Sequence, residues 1–473
     1  MRHFLVVLLT HSLLALLQIR VMQALLDPEM TVVLQTAPST RVTISEMFGG
    51  KPGDCPQERL VGAAKACGFQ YVFDTLVGAD LTIIEEAHEL LKRLDIAKRG
   101  PQEKRKKKPL PMFTSCCPAW INLVEQSYPE LIPHLSSCRS PMAMLSSVIR
   151  YQWWPQQQQT KKKGLLHHAW PFHLHHKQGH HEEDSSSSQK HRSSNNHDHH
   201  DKHSDKHQHG DNKHHRHRHP HEESPSVDQS TLFVVAVMPC TAKKDEIRRK
   251  QLQMKNGKPE TDAVLTVREF ARLMELRGVA QRNNYDSFAS IPLQEYDNPL
   301  GDATGAANIF GATGGVMEAA LRTAADFISH QDLKEVNYET VRGMQGVKEA
   351  KVHLGENINL SVAVCHQMAN VRDFLDEIKK NHMRKHHFIE VMTCPGGCIG
   401  GGGLPQSRDP NIIQKRMSSI YSLDERKVKR KAHENMQVQH LYDHWLEKPL
   451  SHLAHKVRFG TINLTGASRA NHD

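Results

Sequence analysis

The stretch TLFVVAVMPC, Thr231 to Cys240, decides the fold. Its first eight residues are apolar and rich in β-branched side chains, which predicts a buried strand. The strand runs directly into Pro239 and Cys240, and in open α/β sheets ligands sit beyond the carboxyl ends of strands. FIEVM, Phe388 to Met392, repeats the arrangement and leads to Cys394. TVVLQ, Thr31 to Gln35, predicts a third short strand before a turn at Ala37-Pro38. Between the strands, GADLTIIEEAHELLKRL (Gly78 to Leu94) has a helical period. It places Glu86, Glu89 and Arg93 on one face at steps of three and four. FGATGGVMEAALRT (Phe310 to Thr323) reads as a glycine-rich turn opening a helix, and the charged tail from Leu423 to Val457 reads as helical. The class predicted is α/β.

The chain has 473 residues, enough for two or three domains. Its formal charge of +9 (61 basic against 52 acidic residues) points to an acidic partner or an anionic surface. Part of the excess is KRKKK, Lys104 to Lys108, inside a basic, proline-bounded stretch from Gly100 to Pro111. Such a run is ordinarily a solvated loop. The hydrophobic content of 38% is low, but the shortfall is local. Pro155 to Ser230 is rich in Gln, His, Ser and Asp and holds more than half of the 35 histidines. It has too few apolar residues to build a core, so a disordered insertion is expected. An inert loop is the plain reading; weak binding of Ni, Zn or Cu by clustered imidazoles is the other. Phe4 to Ile19 is almost wholly apolar but short for a membrane span, and no clear cleavage site follows it. A targeting peptide and a packed first helix both remain open for residues 1–26. No nucleic-acid partner and no stable membrane insertion are expected, and the chain is expected to be a monomer.

Nine cysteines form no dense, regular framework, so they read as reduced thiols or metal ligands. They stand where chemistry is plausible in TSCCPAW (Thr114 to Trp120), MPCTAKKDE (Met238 to Glu246) and MTCPGGCIGGGG (Met392 to Gly403). Adjacent side chains diverge and a vicinal disulfide is strained, so Cys116 and Cys117 are read as having different jobs. Pro-Gly-Gly between Cys394 and Cys398 makes a tight turn poor in Cβ atoms, able to aim both thiolates at one object. The run Gly400 to Gly403 would let backbone approach a bulky inorganic group. Structural zinc usually recruits two closely spaced cysteine pairs, and only one pair here has such spacing. A [4Fe–4S] cluster needs four thiolates and tolerates distant segments. Spacing alone favours iron–sulfur over zinc only modestly.

In this order the three motifs resemble the three signatures of the [FeFe]-hydrogenases. The resemblance runs from about Thr31 to Val457 outside the insertion, with QTAPSTRV, VFDTLVGADLTIIEEAHELLKR, IFGATGGVMEAALRT and HENMQVQHLYDHWLEKP in support. It implies two lobes, each a twisted β-sheet flanked by helices, with an H-cluster in the cleft between them. That cofactor is a [4Fe–4S] cluster joined through one cysteine sulfur to a 2Fe subcluster bearing CO, cyanide and azadithiolate. By motif, Cys117, Cys240, Cys394 and Cys398 hold the cubane, and Cys398 is the bridge. Cys116 is then the acid–base thiol, and Lys243 matches the lysine that bonds a cyanide. Ala37, Pro38 and Ser39 match the turn against the diatomic ligands, and Met238, Met392 and Phe310 line the pocket. Glu86, Ser136, Glu89 and Arg93 occupy the positions of a proton relay. The reaction implied is 2H⁺ + 2e⁻ ⇌ H2, with reduced ferredoxin and hydrogenase maturation proteins as partners.

Several residues depart from the family pattern. No ferredoxin-like cysteine run is found near the N-terminus, so the chain resembles the minimal green-algal type. The chloroplast stroma is the expected compartment on that basis, with the cytoplasm or another reducing compartment as alternative. Thr393 stands where alanine is usual and Leu404 where glutamine is usual, and the tail RFGTINLTGASRANHD (Arg458 to Asp473) does not match the family ending. A non-catalytic iron–sulfur assembly protein of the Nar type, which shares the fold and the cubane ligands without the acid cysteine, is the alternative function.

Overall fold

The computed structural model describes residues 17–54, 56–99, 109–162, 227–329, 337–354, 358–380 and 385–454. Eight strands form two sheets: β1 (Thr31–Thr36), β2 (Tyr71–Asp74), β3 (Met112–Phe113), β4 (Leu232–Met238), β5 (Ala263–Thr266), β6 (Val347–Leu354), β7 (Ile358–His366) and β8 (Phe388–Met392). The first sheet has the order β2-β1-β4-β5 and is wholly parallel, with Leu34 opposite Val235 and Val237 opposite Leu265. The second has the order β3-β8-β7-β6, parallel except for β6, which runs antiparallel to β7. The α/β class is as expected. Every residue of β8 is buried, which is why its sequence is continuously apolar around the single Glu390. The predicted strand at Thr231 begins one residue later, and the one at Thr31 gains Thr36.

Helices cover the sheets. In the first sheet's core, Leu17, Val21 and Ala24 of a helix over residues 17–26 pack with Val32, Leu34 and Val235. The end of the apolar N-terminal segment is therefore a packed helix; residues 1–16 lie outside the described residues. The long helix Thr75–Lys98 starts before the periodic pattern because the Asp74 carboxylate accepts from the Leu76 N–H at 3.1 Å, capping it. Arg41 clamps the same carboxylate at 2.7 Å, with both groups buried. Ala87, Leu90 and Leu94 of this helix join Met317 and Leu321 of helix Gly315–Ser329 on one face of the second sheet. Trp120, Phe374, Ile389 and Val391 fill the other face, beneath helices Pro118–Ser127 and Met368–Lys380. Among the described residues no helix is long and apolar enough to cross a membrane.

Two expectations are corrected. The tail is not one helix: Ile412–Glu425, a turn at Ala432–Glu434, Met436–Leu441 and a wider turn at Tyr442–Leu446 follow one another. The breaks occur because polar residues are drawn to buried partners. Asp424 binds Arg322 at 2.8 Å, Asn435 binds Asp80 at 2.8 Å, and the Tyr442 hydroxyl donates to Glu85 at 2.7 Å. Residues 455–473 lie outside the described residues.

The insertion is also shorter than expected at both ends. Helix Trp154–Lys162 runs through its first residues. On the far side, the Asp228 carbonyl accepts from the Trp154 indole at 2.9 Å, and the Gln229 amide donates to the Arg150 carbonyl at 3.0 Å. Residues 163–226 lie outside the described residues, as does the basic run Lys104 to Lys108.

These anchors make a prediction. Deleting residues 163–226 behind a short linker will leave the thermal unfolding midpoint of the apo-protein near that of the full chain. Deleting 155–230 also removes Asp228 and Gln229, takes away their hydrogen bonds to the Trp154 indole and the Arg150 carbonyl, and will lower the midpoint clearly in the same calorimetric scan.

Candidate functional site

Strands β1 and β4 of the first sheet and β3 and β8 of the second each run at their carboxyl ends into a loop that lines one cavity of about 730 Å³. β1 supplies Ala37, Pro38 and Ser39; β4 ends at Met238 and supplies Cys240; β3 is followed by Cys116 and Cys117; β8 ends at Met392 and is followed by Thr393, Cys394 and Cys398. Lys243 and Phe310 complete the wall. Every residue expected to line the pocket or to ligate is found in the lining of this cavity. Thr75, Pro141, Met142 and Gly311 line it too and were not anticipated. They come from helix starts and a turn with no distinctive motif.

Cys117, Cys240, Cys394 and Cys398 are free thiols and share this space. Burial pushes the Cys240 thiol up to about 12, with Cys117 and Cys394 adding to the rise and Lys243 opposing it. Burial, then Cys117, Cys394 and Cys240, raise Cys398 well above the ordinary thiol value. Cys394 is raised by burial and Cys117, against the nearby Thr393 hydroxyl and Gly402 amide. Four thiolates crowded into an apolar cavity are stable only around a polycation. Among the described residues, no three His, Cys, Asp or Glu side chains close on a point suited to a single metal ion. The four cysteines instead line one shared cavity, and four thiolates from distant segments suit a multi-iron cluster better than mononuclear zinc.

The turn between Cys394 and Cys398 is as tight as expected. Gly397 has φ +92°, and a Cβ there would lie 2.7 Å from both the Met392 sulfur and the Thr313 nitrogen. The following glycine run also packs on protein backbone. Gly401 packs on the Pro239 carbonyl, and the Gly403 N–H donates to that carbonyl at 2.7 Å. Although Gly401 also lines the cavity, the close approach is to protein backbone. It clasps the Cys398 loop to the Cys240 loop.

Lys243 donates to the Cys116 carbonyl at 3.2 Å and pairs with Glu246 at 2.5 Å, so its ammonium is held at the cavity wall. Burial alone would lower its pKa, but Glu246 offsets this and holds it above the ordinary lysine value. Burial, then Glu86 and the neighbouring thiols, push Cys116 well above the ordinary range, so it remains a protonated thiol at neutral pH.

Behind Cys116 the long helix carries a row of buried acids. Asp80 bonds Thr304 and Asn435, Glu85 bonds Tyr442, and Glu89 accepts from Ser136 at 3.3 Å and from the Ser137 amide and hydroxyl at 2.9 Å each. Glu86 differs: among the described residues neither carboxyl oxygen has a direct hydrogen-bond partner. Burial pushes its pKa up to about 8; Ser136 and the Ser115 amide are near enough to oppose the rise though outside bonding geometry, and Glu89 and Glu390 add to it. A buried carboxyl without a direct partner marks a place where a bridging water or a moving proton belongs. Glu86, Glu89 and Arg93 are 1%, 4% and 3% exposed, so the predicted stripe is an interior feature and not a solvated helix face. The Arg93 guanidinium donates to Glu89 and to the carbonyls of Pro109, His134 and Leu135, engaging all five of its N–H groups. It therefore holds Glu89 in place. Ser137, absent from the sequence reading, is flagged only by its position next to Ser136.

Comparison with known proteins agrees with this geometry. Residues 30–165 and 215–402 match the family described as iron only hydrogenase large subunit, C-terminal domain, and 410–457 match iron hydrogenase small subunit. The chain is 36% identical over 92% of its length to the NADP-reducing hydrogenase subunit HndD of Solidesulfovibrio fructosivorans, and 33% identical over 93% to iron hydrogenase 1 of Clostridium pasteurianum. It spans 61% and 62% of the length of these two relatives. Its structure is similar to that of apo [FeFe]-hydrogenase HydA1 from Chlamydomonas reinhardtii, with a TM-score of 0.66 and 32% identity, covering 93% of this chain and 98% of that one.

The Glu86 environment carries a pH prediction. Its folded pKa, about 8, lies above its unfolded value of 4.5. The folded state thus holds the extra proton between those values, and stability falls as pH rises through that window. Glu86→Gln will flatten this fall, so the gap in urea midpoint between variant and parent will widen in the variant's favour from pH 5 to pH 9. A gap constant with pH would show that Glu86 titrates as an ordinary carboxylate.

Proposed function

The chain belongs to the iron-only hydrogenase family, and on that premise we propose that it interconverts protons and dihydrogen, 2H⁺ + 2e⁻ ⇌ H2, at an H-cluster in the cavity. The observation that carries this reading is the meeting of four thiols from three distant segments beside a fifth, Cys116, backed by the partnerless carboxyl of Glu86. Cys117, Cys240, Cys394 and Cys398 would hold the [4Fe–4S] cluster, with Cys398 also its link to the 2Fe subcluster. When bound, this group would relay the electrons from the external donor and offer the open iron site at which H2 is made or split.

The protein's own residues supply position, charge and protons. The Lys243 ammonium, fixed by Glu246 and the Cys116 carbonyl, offers a positive donor to an anionic cyanide ligand. Ala37, Pro38, Ser39, Met238, Phe310 and Met392 make the remaining wall, largely apolar, and keep bulk water away from the reacting iron. Cys116 passes a proton toward the cavity and is reprotonated from Glu86. Ser136 stands between Glu86 and Glu89, and Arg93 holds Glu89 at the outer end. A Glu86 pKa of about 8 suits this task, because a relay group works best when its pKa lies near the working pH.

The electron donor is a reduced ferredoxin, an acidic carrier drawn to a chain of formal charge +9. Hydrogenase maturation proteins assemble the 2Fe subcluster, whose CO, cyanide and azadithiolate ligands no amino acid provides. The chloroplast stroma is the compartment that the resemblance to the green-algal type suggests.

The test is an anaerobic infrared spectrum after co-expression with the maturation proteins. Stretches from metal-bound CO and cyanide are expected; iron–sulfur absorbance without them would move the chain to the assembly-protein reading. In the same preparation, Cys116→Ser will keep these bands and lose turnover by about 10²–10⁴-fold, the usual worth of a positioned acid–base group. Full turnover in that variant would remove Cys116 from the proton path.

A further inference from the structure

Thr393 follows the end of β8, and its hydroxyl oxygen lies 3.4 Å from the Cys117 sulfur, contributed by the loop after β3. The two strands are parallel neighbours, with Phe113 opposite Ile389, so their following loops lie side by side at the cavity. The site is rigid on both sides: the Gln367 N–H donates to the Met392 carbonyl at 3.1 Å, and the Thr114 N–H donates to the Ile389 carbonyl at 3.0 Å. A ligating Cys117 is a thiolate with no proton to give. Between these two atoms the bond can then run only from the threonine hydroxyl to the sulfur; the same hydroxyl also lies near the Cys394 thiol, a second ligand of the same group.

We propose that the Thr393 hydroxyl donates a hydrogen bond to the Cys117 thiolate and raises the reduction potential of the iron–sulfur cluster it holds. This rests on the reading that Cys117 is a cubane ligand. Taking up one electron makes the cluster and its ligand sulfurs more negative. A donor aimed at a ligand sulfur stabilises the reduced form more than the oxidised one. The apolar wall strengthens the effect, because little water competes there. The electron comes from an external low-potential reductant, and the threonine keeps its proton throughout. An alanine, which the resemblance leads one to expect at this position, has no such donor. Thr393 is a positioning residue: it acts on the cluster through Cys117.

The experiment is an EPR-monitored redox titration of the full chain carrying only a reconstituted cubane, with dithionite and mediator dyes poising the potential. The variants are Thr393→Val, which keeps the shape and removes the hydroxyl, and Thr393→Ser, which keeps the hydroxyl. Thr393→Val is expected to change the oxidised-to-reduced ratio about tenfold at the parent's midpoint, which is ~59 mV downward for one electron. Thr393→Ser is expected to stay near the parent. A Thr393→Val protein with parent iron content and a parent midpoint overturns the proposal. Should valine block cluster uptake, Thr393→Ala against Thr393→Ser makes the same comparison, and equal midpoints overturn it. A parent chain that takes up no cubane overturns the ligand reading itself, a result visible separately in iron content and absorbance.

Discussion

Four thiols spread from residue 117 to residue 398 meet around one void because the strands that carry them aim their carboxyl ends at it. Parallel pairing enforces this. β1 and β4 run in the same direction in one sheet, β3 and β8 in the same direction in the other, and each ends at the cavity. A register slip would turn Met238 and Met392 away from the cavity and into the sheet's opposite face. The glycine run adds a direct link, since Gly401 and Gly403 close on Pro239 and tie the loop of Cys398 to that of Cys240. The sheets are thus positioned by backbone contacts at the place where a cluster would also join them.

The long helix Thr75–Lys98 carries the second constraint. Burying a row of carboxyl groups is costly unless each finds partners. Asp80 and Glu85 meet this condition through the tail, and Glu89 through Ser136, Ser137 and Arg93. Those same bonds pin the C-terminal segment and the loop after His134 to the helix. Glu86 has no such bonds to either oxygen, and it lies beside the thiol that faces the cavity. Structural acids and the one suited to moving a proton are therefore told apart by their partners, along one helix.

Much of this was legible in the residues. FIEVM was readable because a strand buried on both faces leaves a nearly unbroken apolar run. The cysteine motifs were readable because ligand chemistry tolerates so few substitutes. β3 was not, since two residues carry no pattern and pair only because Phe388 and Ile389 offer them an edge. The tail was misread as one helix because its composition is helical while Asp424, Asn435 and Tyr442 answer to partners far away in sequence. Ser137 escaped notice for a related reason: its bond to Glu89 is tertiary and leaves no local trace. The glycine run's contact with Pro239 went unread, because glycine announces a close approach without saying to what.

The attachment points of the long histidine-rich segment sit where β4 begins, whereas the cavity lies where β4 ends. Seven strand residues, roughly 23 Å of extended chain, separate the two. Arg150, Trp154, Asp228 and Gln229 close the near end independently of what lies between them. The same junction is a natural place to graft a foreign module, such as an electron-carrier domain, with the catalytic end left as it is.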